Sequence, residues 1–415
     1  MSAERKNVVV LGAGTAGTMV VNKLRKVLPE DEWAITVVDR DDIHDYQPGY
    51  LFIPFRINKP TQIRKAKLPF IAEGVRVIFA EIERVDPQGR TVHLADGRRL
   101  DYDQLVIATG TTPRPDQTDG MLGEQWHGDV GEFYTYDGAI ALRRSLEEFT
   151  GGRLVVHITE LPIKCPVAPL EFAFLADDYF TRKGMRDRVE IVFVTPLDGA
   201  FTKPMASKRL GKLLTRKGIS LETDFMIERV DQERKVITSY DEREIGYDLL
   251  VTVPLNMGAD FVAASGLGDE LNYVPVDKHT SRSTAYDTIW ALGDASNIPT
   301  SKAGSVAHFS VEVFVENVQD AIAGRPLSRS FDGHANCFIE SGKGKALLLD
   351  FNYDTEPMGG TFPLPTVGPM SLLKESRANH LGKLAFRHLY WSALLPGHPL
   401  GLSADMTLTG KVPVA

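Results

Sequence analysis

The chain opens on an apolar run too continuous for a half-exposed strand. Asn7-Val8-Val9-Val10-Leu11-Gly12 shows no polar alternation, the pattern of a parallel strand buried on both faces. A glycine turn follows, then Met19, Val20, Leu24 and Val27 at helical spacing, then a second apolar run at 34–39. This predicts a β-α-β unit. Short β-like stretches at 75–80 and 91–94 come next, and a strand through Leu105-Val106-Ile107-Ala108-Thr109-Gly110 closes the section. After Gly151-Gly152 the pattern restarts. It predicts a strand at 153–158, a helix at 168–183, a strand at 188–194, a helix at about 205–217, and strands near 234–239 and 248–253. The chain then returns to its first unit at 288–294. From about 330 a hairpin pattern leads into a basic amphipathic stretch at 370–395.

The first turn, Gly12-Ala13-Gly14-Thr15-Ala16-Gly17, matches GxGxxG between a predicted strand and a predicted helix. The first glycine makes the turn, the second lets backbone approach a pyrophosphate, and the third packs helix on strand. The helix N-terminus offers free N–H groups to phosphate. Asp39 ends the second strand, where a carboxylate can accept from a ribose hydroxyl. These signals predict an α/β protein with two Rossmann-like domains. Residues 1–115 and 275–330 form the dinucleotide domain, 116–274 an inserted second one, and 331–415 a C-terminal section.

Two further strings resemble the two-dinucleotide flavoproteins of the disulfide-reductase type. One is Asp101–Gly110, with Ala108-Thr109-Gly110. The other is Ser283–Asp294, ending in Gly293-Asp294, whose aspartate binds the ribityl chain in that group. The resemblance implies FAD as cofactor, and places Lys302 and the loop Gln47-Pro48-Gly49-Tyr50 near the flavin.

In such flavoproteins the inserted domain carries a second glycine-rich turn for a nicotinamide dinucleotide. Here the turn reads Thr159-Glu160-Leu161-Pro162-Ile163-Lys164-Cys165-Pro166-Val167-Ala168-Pro169, without glycine. Prolines fix φ and lack N–H groups, so the turn is unfit for a pyrophosphate. It sets Cys165 beside Lys164 and at a helix N-terminus, which predicts a lowered thiol pKa.

The Lys164-Cys165-Pro166-Val167-Ala168-Pro169 string resembles the sulfide:quinone oxidoreductases and the related flavocytochrome sulfide dehydrogenases. The resemblance spans nearly the whole chain. It implies sulfide as substrate, a membrane quinone as acceptor, and a redox pair formed by Cys165 and Cys337, 172 residues apart. It also implies that Phe351, Phe362, Lys383 and Tyr390 line a quinone pocket. Many members of the family carry a third cysteine before the second domain. Here Trp126–Tyr136 holds His127, Tyr134 and Tyr136 instead, which argues against a covalent cysteinyl–flavin link.

Charge and composition narrow the rest. A net charge of −8 supplies no basic field for nucleic acid. The two cysteines are too few for a secreted disulfide scaffold. The N-terminus enters a strand at once, which reads as lacking a secretory leader and points to the cytoplasmic side of a membrane. Within 369–396, Met370, Leu373, Leu381, Leu384, Phe386, Leu389, Trp391 and Leu395 can form an apolar face. Lys374, Arg377, Lys383, Arg387 and His388 add positive charge. That combination predicts a peripheral helix lying in an anionic membrane surface, with Tyr390 and Trp391 at headgroup depth. The alternative is a pair of helices packed on the body or on a second copy, which leaves room for a homo-oligomer. Glu171, six residues after Cys165 on a predicted helix, reads first as a surface carboxylate and second as a proton acceptor, and His308 and His334 show no metal-site spacing. Rival functions on the same fold are a type II NADH:quinone oxidoreductase, a sulfide dehydrogenase subunit feeding a cytochrome, and a non-enzymatic FAD protein.

Overall fold

The computed structural model describes residues 5–413. The residues on which the leader reading begins, 1–4, lie outside that range. Among the described residues seven α-helices are seen: α1 (Thr15–Val27), α2 (Tyr136–Glu148), α3 (Ala168–Arg182), α4 (Pro204–Arg216), α5 (Asp260–Ala264), α6 (Gly304–Ile322) and α7 (Arg377–Leu389).

The first apolar run forms the centre of a five-stranded parallel sheet. Its strands lie in the order Ile289–Ala291, Gln104–Ile107, Lys6–Leu11, Trp33–Asp39 and Val75–Phe79. Val8, Val10 and Leu11 are wholly buried, as a strand covered on both faces requires. The strand at 289–291 brings Gly293 and Asp294 to the C-terminal edge of this sheet, beside the GxGxxG turn.

The inserted section repeats the design. Val130–Gly131, Leu249–Val253, Gly152–Ile158, Val189–Val194 and Ile219–Glu222 form a second parallel sheet. The third sheet is C-terminal and mixed, ordered Ala335–Gly342, Lys345–Phe351, Gly368–Leu372, Gly359–Leu364 and Lys411–Val412. α3 and α7 pack against it.

Boundaries of the predicted elements fall within a few residues of those observed, with two differences. Val27, read as part of the inward face of α1, is 40% exposed. The stretch read as one amphipathic run from 370 is a strand to Leu372, a turn, and then α7, whose start is set by the Ser376 side chain accepting from the Asn379 N–H. Among the described residues no helix is long and apolar enough to cross a membrane.

Candidate active site

The first turn is built to leave space. Gly12 lies at φ +94°, and a Cβ on Gly17 would sit 1.8 Å from the Gly12 carbonyl oxygen, so neither position admits a side chain. At Gly14 and at Gly110 (φ +70°) an added Cβ would meet no atom within 4 Å. The α1 N-terminus has no capping side chain, unlike α2 and α7, which are capped by Thr135 and Ser376. Free helix N–H groups beside open backbone suit a pyrophosphate.

Other groups around the turn fit the same ligand. Thr109 Oγ1 is buried without a hydrogen-bond partner. Asp294 is half-buried, and burial raises its carboxyl pKa against the pull of Lys302 and Lys164. Asp39 accepts the Ala13 N–H at 2.6 Å and pairs with the buried Lys67 at 2.9 Å. Ala108, Gly293 and Ala16 complete the wall, all buried. The set fits a flavin-type dinucleotide. Lys302 turns inward: its ammonium donates to the Asp294 and Ser296 carbonyls at 3.0 and 2.8 Å and lies 3.7 Å from the Tyr273 ring centroid. Burial brings its pKa down to about 8, opposed by Asp294 and Asp269.

The two thiols, one on the turn after the Gly152–Ile158 strand and one on the Ala335–Gly342 strand, both lie against the Ser301–Lys302 segment. Cys165 donates its N–H to the Lys302 carbonyl at 2.6 Å, and its own carbonyl accepts from Ala168 N–H at 2.9 Å and Tyr134 Oη at 3.2 Å. These bonds hold a non-glycine residue at φ +49°, a left-handed backbone that costs about 1–2 kcal/mol. Tyr134 thus stands, buried, beside the cysteine turn. Cys337 lies on the Ala335–Gly342 strand, 6% exposed, with Ser301 near its sulfur. Each thiol is free. Negative charge on Cys165 acts on Cys337, raising its pKa further.

The electrostatics correct the expectation for Cys165. Its pKa is pushed up to about 12, by burial first and then by Glu171, with Lys383 the largest opposing charge. Burial likewise drives the Cys337 thiol far up. Lys164 feels the Cys165 charge but is not the main cation acting on it; its ammonium reaches back to Gln47 Oε1 at 2.9 Å, tying the turn to the 47–50 loop. Both thiols are neutral at neutral pH, and deprotonating either needs a base.

The candidate is Glu171, which the sequence offered as a proton acceptor only second to a surface carboxylate. Glu171 is fully buried, not at the surface. Its Oε1 accepts from the Lys383 ammonium and from the Glu340 N–H at 2.7 Å, while Oε2 has no partner. Burial raises its pKa to about 7 against the pull of Lys383. A clue was available: Glu171 sits inside Ala168-Pro169-Leu170 and Phe172-Ala173-Phe174-Leu175-Ala176, a helix start with no polar face. A carboxylate amid such a run is buried with the rest.

The four residues expected at a quinone pocket have separate neighbours. Lys383 pairs with Glu171. Phe351 is buried under Lys203, whose ammonium lies 5.6 Å from its ring centroid. Phe362 is half-buried on the outer hairpin, opposite Met370. Tyr390 is turned inward, its hydroxyl within hydrogen-bond distance of Thr15 Oγ1 (2.7 Å) and His44 Nε2 (2.6 Å). Trp391, 7% exposed, packs on Phe70 and His44. Neither aromatic ring is placed at the protein surface, as headgroup depth requires. His334 joins a buried cluster with Asp350 and Lys411 that fastens the C-terminal strand, and His308 faces Glu312.

Residues 6–157 match the family model described as pyridine nucleotide-disulphide oxidoreductase. The mitochondrial sulfide:quinone oxidoreductase of Dictyostelium discoideum is 26% identical over 400 residues, 95% of this chain and 87% of that protein. This chain resembles the sulfide:quinone oxidoreductases along nearly its whole length. The mitochondrial sulfide:quinone oxidoreductase of Mus musculus is 24% identical over 399 residues, covering 94% and 86%. The crystal structure of the sulfide:quinone oxidoreductase from Aquifex aeolicus superposes with a TM-score of 0.81 at 20% identity, covering 95% of this chain and 93% of that one. The sulfide:quinone oxidoreductase likeness therefore includes the fold and extends through the C-terminal section that carries Cys337 and Lys383.

Proposed function

We propose that this chain is an FAD-dependent sulfide:quinone oxidoreductase that oxidises hydrosulfide at a Cys165/Cys337 pair. Its product is sulfane sulfur or polysulfide, and its acceptor a membrane quinone. The observation that carries this reading is that Cys165, bonded to the Lys302 carbonyl, and Cys337, beside Ser301, share one segment of the fold, at a turn that has no glycine for a nicotinamide dinucleotide. Gly12, Gly14, Thr15, Ala16, Gly17, Asp39, Ala108, Thr109, Gly110, Gly293, Asp294 and Lys302 would hold FAD. When bound, FAD supplies a two-electron acceptor that hands its electrons on to the quinone.

The remaining chemistry belongs to the chain. Hydrosulfide attacks a Cys165–Cys337 disulfide, breaking the S–S bond and forming a new one. One cysteine becomes a persulfide and the other a thiolate. The Lys383 ammonium, the main positive charge acting on both sulfurs, stabilises that thiolate. Glu171, with Oε2 free, takes and returns the proton. Cys165 is the more exposed of the two residues and is assigned as the first to meet substrate.

A quinone acceptor dissolves in lipid, so the protein must reach a membrane surface. Leu364, Val367, Leu381 and Leu408 are 56–77% exposed, all in the C-terminal section that also exposes Lys374 and Arg377. We assign this section to peripheral contact with an anionic bilayer. The experiment is sulfide-dependent reduction of a short-chain quinone by the FAD-loaded protein, with sulfane sulfur measured by cyanolysis. Quinone reduction and sulfane sulfur in equal amounts, both lost in Cys165→Ser and Cys337→Ser with FAD retained, support the reading. Turnover surviving in either serine variant contradicts it.

A further inference from the structure

Residues 390–397 follow α7 and lie along α1, the helix that starts at the dinucleotide turn. Three α1 side chains receive them. Thr15 Oγ1 is within hydrogen-bond distance of the Tyr390 hydroxyl at 2.7 Å. Asn22 Nδ2 donates to the Leu395 carbonyl at 2.8 Å, and the Lys26 ammonium to the Gly397 carbonyl at 2.9 Å. Thr15, Asn22 and Lys26 share one face of α1, since seven residues make about two helical turns and four about one. Asn22 also donates to the Phe70 carbonyl at 2.7 Å and accepts from the Ala72 N–H at 2.8 Å. The C-terminal section is thus bonded side by side with two parts of the dinucleotide domain.

Tyr390 is where this contact reaches the candidate cofactor site. Thr15 is the first residue of α1 and lies inside Gly12–Gly17. Tyr390 is 3% exposed, and its hydroxyl also meets His44 Nε2 at 2.6 Å. Burial lowers the His44 pKa to about 4, so the imidazole is neutral and the hydroxyl sits between two uncharged groups. Tyr390 opens a π-helical turn, Tyr390–Leu394, a rare geometry that concentrates at functional sites. The ring itself packs on Tyr46 and Trp391, with centroids 4.9 and 5.2 Å away. A phenylalanine would keep that packing, so the hydroxyl adds the bond to the turn and little else.

We propose that Tyr390 is a positioning residue for the cofactor: its hydroxyl fixes the Thr15 side chain in the dinucleotide turn and so ties FAD retention to the docking of the C-terminal section. The proposal rests on the reading that Gly12–Gly17 holds FAD. Coupling of this kind is reciprocal. Loss of the hydroxyl loosens the cofactor, and loss of the cofactor loosens 390–397. The helix so tied, α7, also carries Lys383, the partner of Glu171, so the link joins the cofactor turn to the residues assigned to the thiols.

The test measures FAD release from the loaded full chain, followed by flavin fluorescence, in wild type, Tyr390→Phe, Thr15→Val and the double variant. Tyr390→Phe is expected to release FAD about fivefold faster, the effect of one neutral hydrogen bond. Because Tyr390 acts through Thr15, the double variant is expected to match Thr15→Val alone. A tyrosine with a merely structural role would give losses that multiply. A second readout needs no substitution: amide hydrogen exchange over 390–397 in the full-length wild type, loaded and stripped of flavin. Exchange there is expected to be about fivefold slower with FAD bound. FAD release from Tyr390→Phe at the wild-type rate, multiplied losses in the double variant, or exchange indifferent to FAD overturns the coupling and leaves the FAD reading standing. A wild-type chain that neither carries flavin nor takes up added FAD overturns that reading and the coupling together.

Discussion

At the scale of single residues, the site is governed by desolvation. The surroundings that bring Cys165 and Cys337 together also keep both thiols protonated, so catalysis is assigned to Glu171, whose pKa is raised to about 7. A carboxyl with a raised pKa keeps its proton as pH climbs from the ordinary carboxylate range toward 7, and accepts one only above that. Sulfide-driven flavin reduction is therefore predicted to rise with pH through about 7, measured by stopped flow over a pH series. Glu171→Gln should flatten that rise and lower the rate by about 10²-fold or more. The same substitution leaves the Lys383 ammonium buried without its counter-charge, and urea unfolding should show a loss of about 3 kcal/mol. The cysteine turn was legible because prolines and a cysteine stand where glycines belong. The thiol electrostatics were not, because Lys164 is next to Cys165 in sequence, yet the cation that matters, Lys383, comes from α7, more than 200 residues away.

At the scale of elements, two glycines of one motif make opposite predictions. A Cβ at Gly17 collides with the Gly12 carbonyl, so Gly17→Ala should lower stability by about 3 kcal/mol or prevent folding, read by thermal unfolding. A Cβ at Gly14 meets no protein atom and would intrude only on a ligand. Gly14→Ala should fold normally and lose FAD, read by flavin content after purification. A stable Gly17→Ala that binds FAD normally would contradict the packing role. The buried strands and α1, α3 and α4 were legible because each is long, strongly patterned and bounded by glycine, proline or a charge cluster. The stretch from 369 was not: its apolar residues suit a helix, but Pro369 and the pairing of Gly368–Leu372 with Gly359–Leu364 make its first part a strand. Tyr390 and Trp391 turn inward because Thr15, His44 and Phe70, all near the other end of the chain, receive them. Local periodicity carries no trace of such partners.

At the scale of the whole molecule, the three five-stranded sheets among the described residues divide the labour. One supplies the dinucleotide cradle, a second supplies the cysteine turn stripped of its glycines, and the third supplies Cys337, Glu340 and, through α7, Lys383. The third also exposes Val367 at 77% and Leu381 at 63%. Val367→Asp with Leu381→Asp should weaken co-sedimentation with anionic vesicles by about tenfold while leaving reduction of a water-soluble quinone unchanged. Vesicle binding that survives the double substitution would move the membrane contact elsewhere. The central claim, that two distant cysteines pass electrons from sulfide to a bound flavin, is tested most directly by anaerobic titration of the flavin absorbance. The account predicts that sulfide bleaches wild type, that NADH does not, and that sulfide leaves Cys165→Ser oxidised. Bleaching by NADH, or bleaching of Cys165→Ser by sulfide at the wild-type rate, would contradict it.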